Sequence, residues 1–138
     1  MSELSRIGVA IDSDLLAKFD ELIANRGYTN RSEAFRDLIR DELVEKAWEG
    51  PESPVVGTVT LVYDHHVRLL SDRLTDLQHD HYHLILSTMH VHLDHDNCLE
   101  VLVVKGRAKD VKKIADALIS TKGVKHGRLT ITASGAEL

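Results

Sequence analysis

A proline- and glycine-rich break divides this chain and most limits how it can fold. Both prolines lie in Gly50-Pro51-Glu52-Ser53-Pro54, directly after a long helical pattern. Because proline does not continue a helix, such a break commonly separates domains. At 138 residues the chain is long enough for two small domains. The sequence predicts an N-terminal domain over 1–50, a linker over 51–54 and a C-terminal domain over 55–138.

The N-terminal domain has the predicted order strand, helix, helix. Ile7, Val9 and Ile11 alternate with polar or small residues, which indicates a short strand with one apolar face. Apolar residues at helical spacing then predict two amphipathic helices. Residues typical of helix ends mark their limits: Asp12, Gly27, Asn30 and Glu33.

A single strand in so small a unit is an unpaired edge, which a second chain can cover by antiparallel pairing. The resulting two-stranded ribbon would expose Arg6, Gly8 and Ala10 from each chain. Such a ribbon fits the major groove of B-DNA. The free amide groups at the start of the second helix could bind phosphate, near Asn30, Arg31 and Ser32.

Two segments of this domain, RIGVAID and RGYTNRSEAFRDLIR, resemble the ribbon-helix-helix family of DNA-binding proteins. The resemblance covers roughly residues 5–48 and implies a dimeric domain that binds double-stranded operator DNA. Only Arg6 among the outward positions has a side chain that hydrogen-bonds to bases. The formal net charge of −5 provides no general basic surface, so DNA binding would depend on local geometry.

The C-terminal domain alternates strands and helices in the order β-α-β-β-α-β. The strands are predicted over 55–63, through the LILSTMHVHL run, over 98–104 and over 124–133, with one helix after the first strand and another after the third. This order is the ferredoxin-like arrangement, which small ligand-sensing domains of the ACT type share. The whole chain is therefore predicted to be an α+β protein.

A dense histidine cluster dominates the C-terminal domain. Eight of the nine histidines lie between His65 and His95, and the only cysteine, Cys98, follows directly. His90 and His92 are two residues apart on a predicted strand, so they share one face. A tight reversal would bring Cys98 beside His92. Two imidazoles and a thiolate form part of a soft-to-borderline metal site.

The predicted strand over 98–104 has two faces, and one of them should pack on the helices. Leu99, Val101 and Val103 share one face, which we expect to pack on the helices. Cys98 and Glu100 then point to the other face, where Glu100 could accept an imidazole N–H and fix its tautomer. We expect a second domain to cover that face, so that a histidine from one chain could complete the metal site of the other.

These residues leave three functions open. The first is a metal-responsive DNA-binding regulator. The second is a metal-dependent enzyme in which Glu100 acts as a base beside a metal-bound water. The third is an ACT-type regulator that responds to another metal or to a small-molecule effector.

Motifs across the whole chain resemble the nickel-responsive transcriptional regulator family (NikR): QHDHYH at 78–83, HVH at 90–92, HDNCLEV at 95–101 and GVKHG at 123–127. The resemblance implies one square-planar Ni(II) per subunit, bound by His90, His92, Cys98 and the partner subunit's His79. It also implies a second cation between the domains, for which Glu33 and Asp37 match the pattern. Repression of nickel-uptake genes is the implied function.

Further expectations concern assembly and the remaining histidines. A ribbon interface and a C-terminal interface together predict a homotetramer built as a dimer of dimers. The chain is expected to be cytoplasmic, with no membrane partner, no small-molecule substrate and no catalytic activity. No role is assigned to the other six histidines, and solvated surface is the default for four of them: His65, His66, His95 and His126; His81 and His83 are left unassigned.

Overall fold

The structure, a computed structural model, describes residues 2–138. It forms two compact units, one ending at Arg40 and the other beginning at Asp41. The division falls inside a helix, before the predicted linker at 51–54, because Trp48 near the end of that helix is buried in the core of the second unit. The assignment of separate functions to residues 1–50 and 55–138 stays a prediction. Within the described residues, no helix is both long enough and apolar enough to span a membrane.

Helix α1 (Ser13–Asn25) and the first half of helix α2 (Arg31–Glu49) make up most of the first unit. The predicted end signals are confirmed, since the side chain of Asp12 accepts from the Leu15 amide and that of Asn30 accepts from the Glu33 amide. Gly27 has a φ of +87°, a left-handed conformation that glycine adopts without steric cost. The stacked rings of Phe19 and Phe35 join the two helices.

The segment before α1 has no partner strand in the single chain. The strand predicted from Ile7, Val9 and Ile11 was expected to pair with a second chain, and no other segment between residues 2 and 138 pairs with it. Ile7 and Val9 are exposed as a result. Residues from this segment and from both helices line an apolar groove of about 590 Å³: Ile7, Val9, Ile11, Leu16, Phe35 and Ile39 among them.

The second unit confirms the predicted α+β order. Its elements are β1 (Pro54–Asp64), α3 (Leu70–Asp80), a 3-10 turn (Tyr82–Leu84), β2 (Ile85–His92), β3 (Asn97–Arg107), α4 (Ala108–Ile119) and β4 (Val124–Thr132). The strands form one antiparallel sheet in the order β2-β3-β1-β4. The buried residues of the sheet lie in one core with those of α3 and α4.

The covered face of the sheet is the reverse of the predicted one. Cys98, Glu100, Leu102 and Val104 are the buried residues of β3, whereas Leu99, Val101 and Val103 are only half-buried. Both faces of β3 carry apolar residues, so alternation alone did not reveal which face the helices cover. The metal-ligand candidates therefore lie on the same side of the sheet as α3 and α4.

Candidate metal centre and DNA interface

The β2–β3 hairpin sets the position of the candidate ligands. In its register His92 lies directly opposite Cys98, and His90 lies opposite Glu100. Residues opposite each other on antiparallel strands point to the same face. Tyr63 of β1 lies opposite Cys98 on the other side of β3, so the end of β1 also approaches this position.

Two imidazole nitrogens, from His65 and His92, converge on the side chain of Cys98. Its Sγ atom is 3.5 Å from His92 Nδ1 and 3.1 Å from His65 Nδ1, and all three donor atoms lie within 4.8 Å of one another. Nitrogen and sulfur ligands at angles of about 90–110° around one metal ion are separated by about 3.1–3.6 Å. The spacing and the donor types therefore fit a nickel, copper or zinc ion.

The environment of Cys98 favours a protonated thiol in the metal-free chain. The residue is 0% exposed. Burial raises the pKa of the Cys98 thiol, and the nearby carboxylates of Glu100, Asp64 and Asp94 raise it further. A cation bound at the sulfur would offset these effects, since a thiolate is the form that binds metal.

Glu100 has different partners from those predicted. It is 6% exposed, and its carboxylate accepts hydrogen bonds from the Tyr63 hydroxyl at 3.3 Å and from Gln78 Nε2 at 3.2 Å. Within the described residues, no imidazole donates to it. Burial and the neighbouring Glu100 charge raise the pKa of Tyr63, which keeps that hydroxyl a donor. Glu100 thus connects β1 to α3 through these two hydrogen bonds. The His90 ring lies in an edge-type arrangement with the Tyr63 ring.

His79 lies apart from the Cys98 cluster in the single chain. It is exposed near the end of α3, beside a cavity of about 220 Å³ that Thr75, Gln78, Tyr82 and Ile85 also line. The donor group around Cys98 in the described part of the chain does not include it. A role for His79 in the metal site would therefore require a partner subunit.

His65 is the residue that sequence analysis missed. It is half-buried and contacts Cys98, so its default assignment to solvated surface is wrong. The available signal was topological: His65 comes directly after β1, and β1 lies beside β3 in a ferredoxin-like sheet. Among the other unassigned histidines, His83 and His126 are exposed, and the ring of His81 contacts the Leu77 carbonyl oxygen at 3.0 Å.

The candidate DNA-contacting residues belong to the first unit. Arg6, Gly8 and Ala10 are exposed, as a DNA-reading segment requires. Asn30 already caps α2 with its side chain. The guanidinium of Arg31 forms two hydrogen bonds to Asp20, at 2.9 and 2.8 Å, and this pairing lowers the pKa of Asp20.

The acidic residues of the predicted interdomain cation site also have partners in the single chain. Glu33 pairs with Arg36, whereas Asp37 accepts from the Tyr28 hydroxyl and lies 3.5 Å from Arg40. A cation bound there would have to compete with two arginines. Occupation of this site stays a prediction.

The chain thus combines a capped helix pair with a ferredoxin-like domain that carries an imidazole–thiol cluster. The first domain matches the family described as "Ribbon-helix-helix protein, copG family" over residues 5–46, and the second matches "NikR C terminal nickel binding domain" over residues 56–132. The chain belongs to the nickel-responsive regulator family, NikR. This family consists of DNA-binding regulators, which excludes the enzyme hypothesis.

Similar proteins match along their whole length. The chain is 81% identical over 138 residues to a protein of Solibacter usitatus and 63% identical over 138 residues to one of Geobacter metallireducens. Each match covers 100% of this chain and 99% of the relative, and each relative is named "Putative nickel-responsive regulator". These sequence identities are far higher than two proteins need in order to share a fold.

The Asp20–Arg31 pair leads to a prediction about DNA affinity. We expect Asp20→Asn to strengthen binding to duplex DNA of any sequence, because Arg31 would be released to contact phosphate and one repulsive charge would be lost. The slope of log affinity against log salt should become steeper by about one per chain. Fluorescence anisotropy with a labelled duplex at several salt concentrations measures both quantities.

A matched control is Glu21→Gln, which removes the same charge from the neighbouring exposed position of α1. It should reproduce only the smaller electrostatic gain. Combining Asp20→Asn with Arg31→Ala should abolish the steeper slope. An equal gain in the Glu21 variant would show that Asp20 does not withhold Arg31 from DNA.

Proposed function

We propose that this chain is a nickel-dependent repressor that binds operator DNA when nickel occupies the Cys98 site and thereby reduces expression of nickel-uptake genes. The observation that carries the proposal is the cluster of a buried thiol and imidazoles within the domain that matches the nickel-binding family. A DNA-binding domain on the same chain gives that metal site a consequence for transcription.

The proposed ligands are His90, His92 and Cys98 of one chain and the partner subunit's His79, with one Ni(II) per subunit. The β2–β3 register supports the first three, because it puts both histidines on the face of Cys98. The exposure of His79 and of both β2 histidines supports the fourth, because a neighbouring chain could reach them. Three imidazoles and one thiolate suit Ni(II) in a plane.

His65 is the competing fourth ligand. Its Nδ1 atom lies 3.1 Å from Cys98 Sγ within one chain, so it could complete a site without a partner. The two versions differ in a simple test: removing His65 should abolish tight binding only if the site is formed within one chain. Removing His79 should do so only if the site spans two.

The proposed homotetramer rests on two uncovered surfaces. The apolar groove of the first unit fits a second copy, whose segment before α1 would pair with its counterpart as a ribbon. β2 is an edge strand whose side chains from Leu86 to His92 are exposed, including Met89 and Val91. Folded proteins normally cover such an edge. A dimer of dimers is the smallest closed assembly that uses both surfaces in every chain.

The proposed DNA contacts follow from the same ribbon. Arg6 would reach base edges, Gly8 and Ala10 would allow close approach to the groove, and the amides near Asn30, Arg31 and Ser32 would bind phosphate. As a regulator of transcription the chain is expected to act in the cytoplasm. A cation held by Glu33 and Asp37 is retained as a separate proposal.

The function is tested by measuring the affinity for operator DNA with and without one equivalent of Ni(II), in the intact chain and in Arg6→Ala. Nickel should strengthen binding of the unaltered protein. Arg6→Ala should weaken specific binding by at least about tenfold, since base contacts by arginine contribute about 1–3 kcal/mol each. Nickel affinity should stay unchanged in this variant.

Arg128→Ala serves as the control, because it also removes an exposed arginine, from β4 of the other domain. It should leave operator affinity within about twofold, as is usual for surface substitutions away from an interface. DNA binding that is insensitive to nickel would refute the proposed function. Parallel loss of nickel affinity in Arg6→Ala would refute the division of roles between the domains.

A further inference from the structure

We propose that the end of α2 and residues 50–54 form a fixed joint with the second unit, and that this joint passes the effect of nickel binding to the DNA-binding domain. This role of the joint rests on the proposed function, because it concerns how the metal regulates DNA binding. A flexible linker would absorb a change in the metal-binding domain. Packed side chains and rigid secondary elements carry such a change onward.

Trp48, one residue before the end of α2, is built into the core of the second unit. The residue is 3% exposed, and its indole N–H donates to the Thr132 carbonyl oxygen at 2.8 Å. The carbonyl oxygen of Trp48 accepts from Lys112 Nζ at 2.7 Å. A Cβ atom at Gly57 would lie 3.2 Å from the indole ring and 2.8 Å from the Thr130 carbonyl oxygen, so glycine makes room for the ring there. The last turn of α2 therefore has a fixed place in this unit.

The segment after α2 caps the start of α4. Within the described residues α4 has no side-chain cap, and the first amides of any helix lack partners inside the helix. The Ala108 amide donates to the Ser53 carbonyl oxygen at 2.9 Å. The Lys109 amide donates to the Pro51 carbonyl oxygen at 3.0 Å. The Ser53 amide closes a turn with the Gly50 carbonyl oxygen at 3.0 Å, so three main-chain hydrogen bonds fix this segment.

Glu52 adds two ion pairs to these hydrogen bonds. Its carboxylate oxygens lie 3.0 Å from a terminal nitrogen of Arg107 and 2.6 Å from Lys109 Nζ. The hydrogen bond from Lys109, together with that from Arg107, lowers the pKa of Glu52. Both pairs are exposed, so each contributes little to stability. The buried indole and the main-chain hydrogen bonds are therefore the contacts that fix the joint.

One strand pair runs from the joint to the Cys98 cluster. β1 begins at Pro54 in the joint and pairs with β3 along its whole length. Near the far end of this ladder Tyr63 lies opposite Cys98, and His65 follows β1 directly. At about 3.4 Å per residue, the two ends of the ladder are about 30–35 Å apart. Since rigid secondary elements carry coupling over such distances, a change at the Cys98 cluster can reach the joint and thereby α2.

Hydrogen–deuterium exchange of the full-length protein tests the contacts of the joint. The amides of Ala108 and Lys109 should exchange slowly, because carbonyl oxygens of the segment after α2 accept from them. The comparison is with the first two amides of α1, those of Ser13 and Asp14, for which the described residues record no acceptor. After correction for intrinsic rates, the α4 amides should exchange at least about tenfold more slowly. Equal rates at the two helix starts would overturn the fixed joint.

The role of the joint is tested by the ratio of operator affinities with and without one equivalent of Ni(II). Trp48→Phe combined with Lys112→Ala removes both side-chain hydrogen bonds at the end of α2 and keeps an aromatic ring in the core. The ratio should fall by at least about threefold, as is typical when residues between two coupled sites are altered. Nickel affinity and the absorption band of thiolate-bound nickel should stay unchanged, because both residues lie outside the metal cluster.

Lys113→Ala is the matched control, because it removes the exposed lysine next to Lys112, and it should leave the ratio unchanged. A glycine–serine–glycine insertion between Arg40 and Asp41 interrupts α2 ahead of the joint and leaves the contacts of the joint in place. It should reduce the ratio to about one. A ratio that survives in either altered chain, while that chain binds nickel, would overturn the proposal. Operator binding by the unaltered protein that does not respond to nickel would instead refute the proposed function and, with it, the role of the joint.

Discussion

Replacing Cys98 with alanine should abolish the absorption band of thiolate-bound nickel and lower nickel affinity by at least about 100-fold. Loss of a residue that merely supports a ligand already costs about 10–100-fold, and Cys98 is the only sulfur in its cluster. Operator binding should then no longer respond to one equivalent of nickel. Ultraviolet–visible titration and fluorescence anisotropy with operator DNA measure these effects.

A second variant separates thiol chemistry from packing, because Cys98 is fully buried. Cys98→Ser nearly preserves the volume of the side chain but removes the soft ligand. Its nickel binding should fall as in Cys98→Ala, while both variants unfold cooperatively in urea. A band that persists in either folded variant would mean that sulfur is not a ligand.

Mixing two inactive variants should restore nickel sites, if the fourth ligand comes from a partner. Chains with His79→Ala keep Cys98, and chains with Cys98→Ala keep His79. After equal amounts of the two are unfolded together and refolded, about one quarter of the sites should bind nickel tightly, by random pairing across a two-fold interface. Each variant refolded alone should have no tight site.

The control is an equimolar mixture of Cys98→Ala with His126→Ala chains. If His126 has no part in the site, about one half of the sites should be intact in that mixture under the same random pairing. A within-chain site completed by His65 gives a different pattern: His79→Ala alone would bind normally, and His65→Ala would not. Tight binding by His79→Ala chains on their own would therefore refute the cross-subunit site.

The secondary structure was largely predictable because it depends on local chemistry. Asp12 and Asn30 cap helices with their own side chains, and Gly27 adopts the positive φ that ends α1. Alternation and helical spacing gave the order of elements in the second unit. The hairpin that joins His92 to Cys98 is also a local feature, since only a few residues separate its strands.

Features that depend on distant partners were not predictable in the same way. Glu100 can be buried against the helices only because Tyr63 and Gln78, from two other elements, donate to it. Without those partners a glutamate is expected on an open face of the sheet. For this reason the helices were predicted to cover the wrong face of β3. The contact of His65 with Cys98 likewise depends on β1 lying beside β3. The pairing of Arg31 with Asp20 joins two helices and has no local sequence signal.

The uncovered groove of the first unit has a consequence for how the protein depends on its own abundance. Ile7 and Val9 are exposed in the single chain. In the proposed ribbon dimer a second copy covers them, so burial of this apolar surface is a bimolecular event. By mass action, dilution then favours the less stable single chain, and crowding many copies together favours the paired form. The midpoint of thermal unfolding should rise with protein concentration. In a cell that makes few copies of such a regulator, the regulator would occupy less of its DNA and would stay folded for a shorter time.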